Sequence, residues 1–188
     1  MDIYLGSETG WIMQEMEVAV LRRDKYKIQE LLEVAERKGN INIPDVFRNA
    51  LLRAVEYSSL EIISLLLDRG ANINAVIGNY GTALGAAAFK GDRETVSLLL
   101  DRGADINAVV GDYGTALGAA AFVGEEKIVS LILDRGADIN AVGGNYGTAL
   151  GTAAFTGKEK IVSLLLDRGA DINAVGGDYG TALGAAAY

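Results

Sequence analysis

Between Glu125 and Arg135 the chain carries Ile128, Val129, Leu131, Ile132 and Leu133, with Glu125, Glu126 and Lys127 at the solvent end. That density of apolar positions predicts a helix with one broad buried face. Upstream, Ala116 to Phe122 holds Ala119, Ala120 and Ala121, which give high helix propensity and almost no girth. Thr115 stands where an N-cap belongs, its hydroxyl suited to accept from an orphan backbone N–H of the first turn. Gly124 and Gly136 follow the two helices as stops, being the residue type that tolerates the left-handed conformation. Arg135 falls favourably in the last turn of the second helix. Ahead of Thr115, Asp105-Ile106-Asn107-Ala108-Val109 is too short for a helix. Gly111-Asp112-Tyr113-Gly114 supplies turn residues, so this stretch reads as a projecting hairpin or long turn.

The same pattern recurs. The phrase D-R-G-A-[ND]-I-N-A ends at Ala75, Ala108, Ala141 and Ala174, a strict spacing of 33 residues. A fixed period in this range marks a solenoid, in which each unit buries its apolar face only against its neighbours. The predicted fold class is therefore all-α with hairpin turns, a solenoid of stacked helix-turn-helix units. Residues 71–103, 104–136 and 137–169 are regular repeats, and 170–188 is a half repeat that stops before a second helix. Residues 39–70 form a degenerate repeat in which Asn49 occupies the Thr column, as a predicted N-cap, with Pro44 shortly before it. Residues 1–38 depart from the repeat wording and read as two helices, Trp11–Arg22 and Lys25–Arg37, broken near Arg23-Asp24. Tyr26, Ile28, Leu31, Leu32 and Val34 are expected to face the array, while Gln29, Glu30, Glu33 and Glu36 face water. A polar-faced terminal unit of this kind is what a solenoid needs as a cap.

Composition narrows the chemistry. The formal net charge of −8 argues against nucleic acid or an anionic membrane as partner, since both are held mainly by clustered Lys and Arg. The chain has no cysteine and no histidine. Disulfide frameworks, thiolate or imidazole metal sites and Cys- or His-dependent nucleophilic mechanisms are thereby excluded. Met1–Gly10 carries Asp2 and Glu8 without an apolar core behind a basic start, so no signal peptide is read and the expected setting is intracellular, in the cytoplasm. No apolar run approaches the length that spans a bilayer.

The residues resemble the ankyrin-repeat family. Thr82-Ala83-Leu84, Thr115-Ala116-Leu117, Thr148-Ala149-Leu150 and Thr181-Ala182-Leu183 are similar to its T-P-L-H signature. The distal wording [IV]-V-S-L-[LI]-L-D-R-G-A-D-I-N-A resembles the family's I-V-x-L-L-L-x-x-G-A-D-V-N-A. The likeness runs from Gly39 to the C-terminus, and the G-G-x-Y-G-T-A-L wording is similar to ankyrin arrays common in fungal proteins. It departs from the family in two columns. Ala83, Ala116, Ala149 and Ala182 replace the Pro, losing a preset φ at the first helical position. Gly85, Gly118, Gly151 and Gly184 replace the His. That removes the imidazole hydrogen bonds that tie neighbouring hairpins in the family, and it places Gly inside a helix at roughly 1 kcal/mol each.

Candidate sites follow from these columns. Glycine-rich turns such as Gly176-Gly177-Asp178-Tyr179-Gly180 lack the Lys-[Ser/Thr] that a phosphate-binding loop requires, and read as hairpin turns. Asp105, Asp138 and Asp171, with Asn72 in the same column, give one carboxylate per repeat. No calcium cage is built that way, and capping turns and bonding adjacent hairpins is the expected task. Two aromatic columns, Tyr80, Tyr113, Tyr146 and Tyr179 at the hairpin base and Phe89, Phe122, Phe155 and Tyr188 at the end of the first helix, are candidates either for partner contact or for ring stacking that stiffens the array. In the resembled family the latter column lies towards the concave face. The hairpin tips Val76-Ile77, Val109-Val110, Val142-Gly143 and Val175-Gly176 are expected to expose apolar side chains where the family carries polar ones.

The expected function is non-catalytic protein–protein interaction, with no cofactor or metal and a protein partner at the tips and the concave helix face. The alternative is a self-assembling subunit. The bare face at 170–188, with Leu183, Ala187 and Tyr188, is either the edge of a longer array or docks onto the cap of another copy near Trp11, propagating a head-to-tail filament.

Overall fold

A computed structural model describes residues 8–38 and 43–187. The fold is all-α, with no strand among the described residues, and its repeats are stacked helix-turn-helix units. The chain divides into two units, Met1–Asn72 and Ile73–Tyr188.

The first unit contains α1 (Glu8–Leu21), α2 (Lys25–Lys38), α3 (Ile43–Glu56) and α4 (Leu60–Asp68). Helix α1 buries Ile12, Met16, Ala19 and Val20, and α2 buries Ile28, Leu31, Leu32 and Ala35. Both sets fall on one helical stripe, and α1 packs on α2 and on α3. The break between α1 and α2 is where the sequence placed it. Arg23 takes a positive φ of 54°, and the Asp24 carboxylate accepts from the Lys27 N–H at 2.9 Å, capping α2. Tyr26 does not face inward as expected; it is 79% exposed, because Ile28 and Leu31 set the buried stripe and Tyr26 projects from the opposite side.

Asn49 is not a helix cap. Helix α3 starts six residues earlier, at Ile43, and Asn49 lies inside it, half-buried. Pro44 explains the early start: its fixed φ suits the first helical turn, where its missing N–H costs nothing. Arg53 of α3 lies between Glu17 on α1 at 2.9 Å and Glu56 at 2.8 Å. The hydrogen bond to Glu56 raises its pKa, and the charge of Glu17 adds to that.

The second unit repeats one block. Thin helices α5 (Ala83–Lys90), α7 (Ala116–Val123), α9 (Ala149–Phe155) and α11 (Ala182–Ala186) stack directly on one another. Their alanines make this possible: Ala87, Ala88, Ala119, Ala120, Ala121 and Ala153 are fully buried. The thicker helices α6 (Arg93–Asp101), α8 (Glu126–Asp134) and α10 (Glu159–Asp167) form a second, looser row. They bury Val96 and Leu99, Ile128, Val129 and Ile132, and Ile161 and Leu165. Leu84, Leu117 and Leu150, at 1–2% exposure, fill the space between the two rows.

The predicted caps are present. Thr82, Thr115, Thr148 and Thr181 each accept from the backbone N–H of the glycine three residues on, at 3.0–3.2 Å. Gly91 and Gly124 end α5 and α7 in the left-handed conformation. Arg135 pairs with Asp101 and Arg168 with Asp134, at 2.8 and 2.9 Å, so the D-R-G phrase links consecutive repeats along the exposed side of the thick row. Exposed pairs of this kind contribute little energy.

Candidate functional site

The hairpins of the second unit join backbone to backbone. Within each, the residue after the tip valine donates to the second glycine of G-x-Y-G: Val110 N–H to Gly114 C=O, Gly143 to Gly147 and Gly176 to Gly180, all at 2.7 Å. Between hairpins, Asp112 N–H donates to Asn79 C=O, Asn145 to Asp112 and Asp178 to Asn145, each at 2.8 Å. The turn residue of every inner repeat thus accepts from one neighbour and donates to the other. This ladder joins each of these hairpins to the next without any side chain.

Glycine is what lets these backbones meet. A Cβ on Gly81 would strike the Val110 carbonyl, one on Gly114 the Gly143 carbonyl, and one on Gly147 the Gly176 carbonyl. The glycines inside the thin helices have the same explanation. A Cβ on Gly85, Gly118, Gly151 or Gly184 would collide with the carbonyl of Tyr80, Tyr113, Tyr146 or Tyr179. Each of those carbonyls is folded over the first helical turn; that of Tyr80 accepts from the Thr82 N–H at 3.1 Å and that of Tyr113 from the Thr115 N–H at 2.9 Å. The propensity cost of an interior glycine is offset by a packing that no larger residue allows.

A second ladder runs beside the first, and it divides the Asp column's expected work between two residue types. Asp105, Asp138 and Asp171 cap their own turns, accepting from the N–H two residues on at 2.9–3.0 Å. The bond between hairpins comes from asparagine. Asn74, Asn107 and Asn140 accept through Oδ1 from the N–H of Asp105, Asp138 and Asp171 in the next repeat, at 2.8–2.9 Å. The signal was in the sequence, as the one Asn of every I-N-A. No group of acidic side chains able to hold a metal occurs among the described residues.

The two aromatic columns are one structure. Tyr80, Phe89, Tyr113, Phe122, Tyr146, Phe155 and Tyr179 interleave, with successive ring centroids 4.7–5.9 Å apart. The tyrosines are nearly parallel to one another, at 6.4, 6.5 and 6.2 Å and 12°, 18° and 8° between planes. Stacking of these rings adds to their burial energy. All seven are half-buried, so one edge of the ladder reaches solvent. Burial pushes the Tyr113 phenol up, with Tyr146, Tyr80 and Asp112 adding to it. The fourth member of the Phe column, Tyr188, lies outside the described residues.

The tips are half as expected. Val76, Val109, Val142 and Val175 are 47–70% exposed. Ile77, however, is buried at 3% and Val110 is half-buried, because the residue after the valine turns inward to bond across the hairpin base. Of the end-contact candidates, Trp11 is 50% and Leu183 79% exposed, and Ala187 is exposed. Two surface depressions, of about 560 and 380 Å³, lie away from all of these columns. The first is lined by Arg93, Glu126, Lys127, Ser130, Leu131 and Asp134, and the second by Met13, Gln14, Glu17, Asn49, Leu52 and Arg53 among others. No helix among the described residues is long and apolar enough to cross a membrane.

Comparison with known proteins agrees with the geometry. A family model of ankyrin repeats in three copies matches residues 16–110 and again 108–176. The first match begins inside α1, within the segment whose wording departs from the repeat. No curated protein matches the chain. Ankyrin-repeat proteins are typically non-enzymatic, and their repeats generally bind other proteins. Matched from residue 16 to residue 176 and built of stacked hairpin–helix–helix blocks, this chain belongs to the ankyrin-repeat family.

Proposed function

We propose that the chain is a non-catalytic scaffold that binds a protein partner along the hairpin tips and the concave face formed by the ends of the thin helices. The observation that carries this reading is the row Val76, Val109, Val142 and Val175, 47–70% exposed, on hairpins whose cohesion comes from backbone and Asn side chains. Val109 and Val142 each rest one methyl over Gly143 and Gly176 of the next hairpin and still leave about half of their surface in water, and a row of exposed apolar side chains marks contact with something. Phe89, Phe122 and Phe155 with Tyr80, Tyr113 and Tyr146 supply the aromatic part of the same surface. A chain without cysteine suits the reducing cytoplasm, where we place it.

The test is a selection from displayed protein fragments on immobilised wild-type protein, with a counter-screen on the Val76→Asp/Val109→Asp/Val142→Asp variant. Binders that weaken by about tenfold or more on a variant that keeps its thermal midpoint support the reading, the expected loss following from desolvating carboxylates in an apolar contact. Binders indifferent to the change contradict it.

A second reading is self-assembly, with residues 1–38 of one copy covering the face at 170–188 of the next. Leu183 favours it, being 79% exposed where Leu84, Leu117 and Leu150 are at most 2%. Light scattering and negative-stain microscopy against concentration separate the two. Discrete particles support the scaffold; rods that vanish with Leu183→Asp support the polymer.

A further inference from the structure

The tyrosine column has a feature that stacking does not explain. No hydrogen bond is made by the hydroxyls of Tyr80, Tyr113 or Tyr146 among the described residues, and no buried side-chain oxygen in them lacks a partner. These three hydroxyls therefore reach solvent. Because neighbouring rings are within 12–18° of parallel, their hydroxyls advance by about the same step as the centroids, 6.4–6.5 Å per repeat. An extended polypeptide rises about 3.2–3.4 Å per residue, and its backbone groups point to the same side every second residue, about 6.4–6.8 Å apart. A polyproline helix repeats every third residue, about 9.3 Å, and falls out of step at once. The column matches one of these and not the other.

We propose that the hydroxyls of Tyr80, Tyr113 and Tyr146 read the main chain of an extended partner segment, each bonding a backbone group of every second residue. The inference rests on the protein-binding reading above and names the partner's conformation. These three rungs span the reach of about five extended residues. Charge supplies the side-chain preference. The segment Ile73–Tyr188 carries thirteen Asp and Glu against eight Lys and Arg, and Asp112 and Asp178 directly precede Tyr113 and Tyr179. The segment's side chains on that flank are Lys or Arg, held by carboxylates spaced two rungs apart. A phenol both donates and accepts, so either backbone group is served, and recognition of main chain leaves the remaining side chains loosely specified.

The probe is a displayed library of linear peptides of about ten residues, longer than the footprint. It is selected on wild-type protein, and the enriched peptides are then synthesised. Binding is measured to wild type and to Tyr80→Phe/Tyr113→Phe/Tyr146→Phe, which keeps the rings stacked, with the thermal midpoint as the control for folding. The expected result is a loss of about tenfold or more on the variant, from three lost hydrogen bonds. A scan of single N-methylated peptides is expected to weaken binding at alternate residues only. Equal binding to the Phe variant, or an N-methyl scan without two-residue alternation, overturns the proposal. Peptides that ignore the Phe variant yet are lost on the valine-to-aspartate variant overturn it while leaving the scaffold reading in place. A library that yields no binder overturns both.

Discussion

Gly114→Ala is expected to destabilise the protein several times more than Gly136→Ala, although both glycines have positive φ, 73° and 91°. Gly136 follows α8 with nothing within 4 Å of the position a Cβ would take. Its replacement costs only the left-handed conformation, about 1 kcal/mol. At Gly114 the new methyl would meet the carbonyl of Gly143 and the amide nitrogen of Gly144, both backbone atoms that no rotamer change can move aside. Relief requires the hairpins to separate, with loss of the Asn145–Asp112 bond, so the conformational cost is joined by overpacking of about 1–3 kcal/mol. The difference is readable by urea denaturation as two shifted midpoints. Because repeat arrays can unfold in parts, the transition should be followed with more than one probe. Equal shifts for the two variants would mean that the hairpin contact carries no weight.

Leu117→Ala is expected to cost about 2–5 kcal/mol, the range for emptying a packed leucine site. Leu117 is 1% exposed between the thin and thick rows. Leu183 occupies the same column and is 79% exposed, so Leu183→Ala is expected to stay within about 0.5 kcal/mol of wild type. Two leucines with identical local wording, T-A-L-G-A-A, thus differ in consequence because of what lies beyond them. Comparable losses for the two, in thermal melts of dilute protein, would contradict the described packing at one position or the other.

Much of this architecture is legible in the sequence because each repeat is a local problem. Thr115 before an alanine run, Gly124 after it and the apolar crowding from Ile128 to Leu133 each specify their element within a few residues, and the period multiplies the signal. The misreadings arise where the determinant is not local. Spacing puts Asn49 in the Thr column, but Pro44 starts the helix earlier. Gly118 reads as a helix weakness until the Tyr113 carbonyl, folded over the helix by its hairpin, is seen to occupy the space of a side chain. Tyr113 and Phe122 are nine residues apart and belong to different elements; their interleaving into one ladder requires the geometry of the neighbouring repeats. The candidate surface was legible as columns, and its division into stacking rings and outward valines was not. Ile77 and Val76 are adjacent, apolar and β-branched alike, and only the direction of the hairpin bond puts one inside and the other in water.

That neighbouring repeats are joined through their hairpin backbones, leaving the tips and the aromatic edge for contact, is most directly tested by amide hydrogen exchange. The amides of Asp112 and Asn145 donate to the preceding hairpin at 2.8 Å, whereas those of Val109 and Val142, on the same hairpins, donate to no group among the described residues. Residue-resolved exchange is expected to be slower at Asp112 and Asn145 by on the order of a hundredfold. If the four amides exchange at similar rates, the hairpins are not bonded to one another in solution and the account fails.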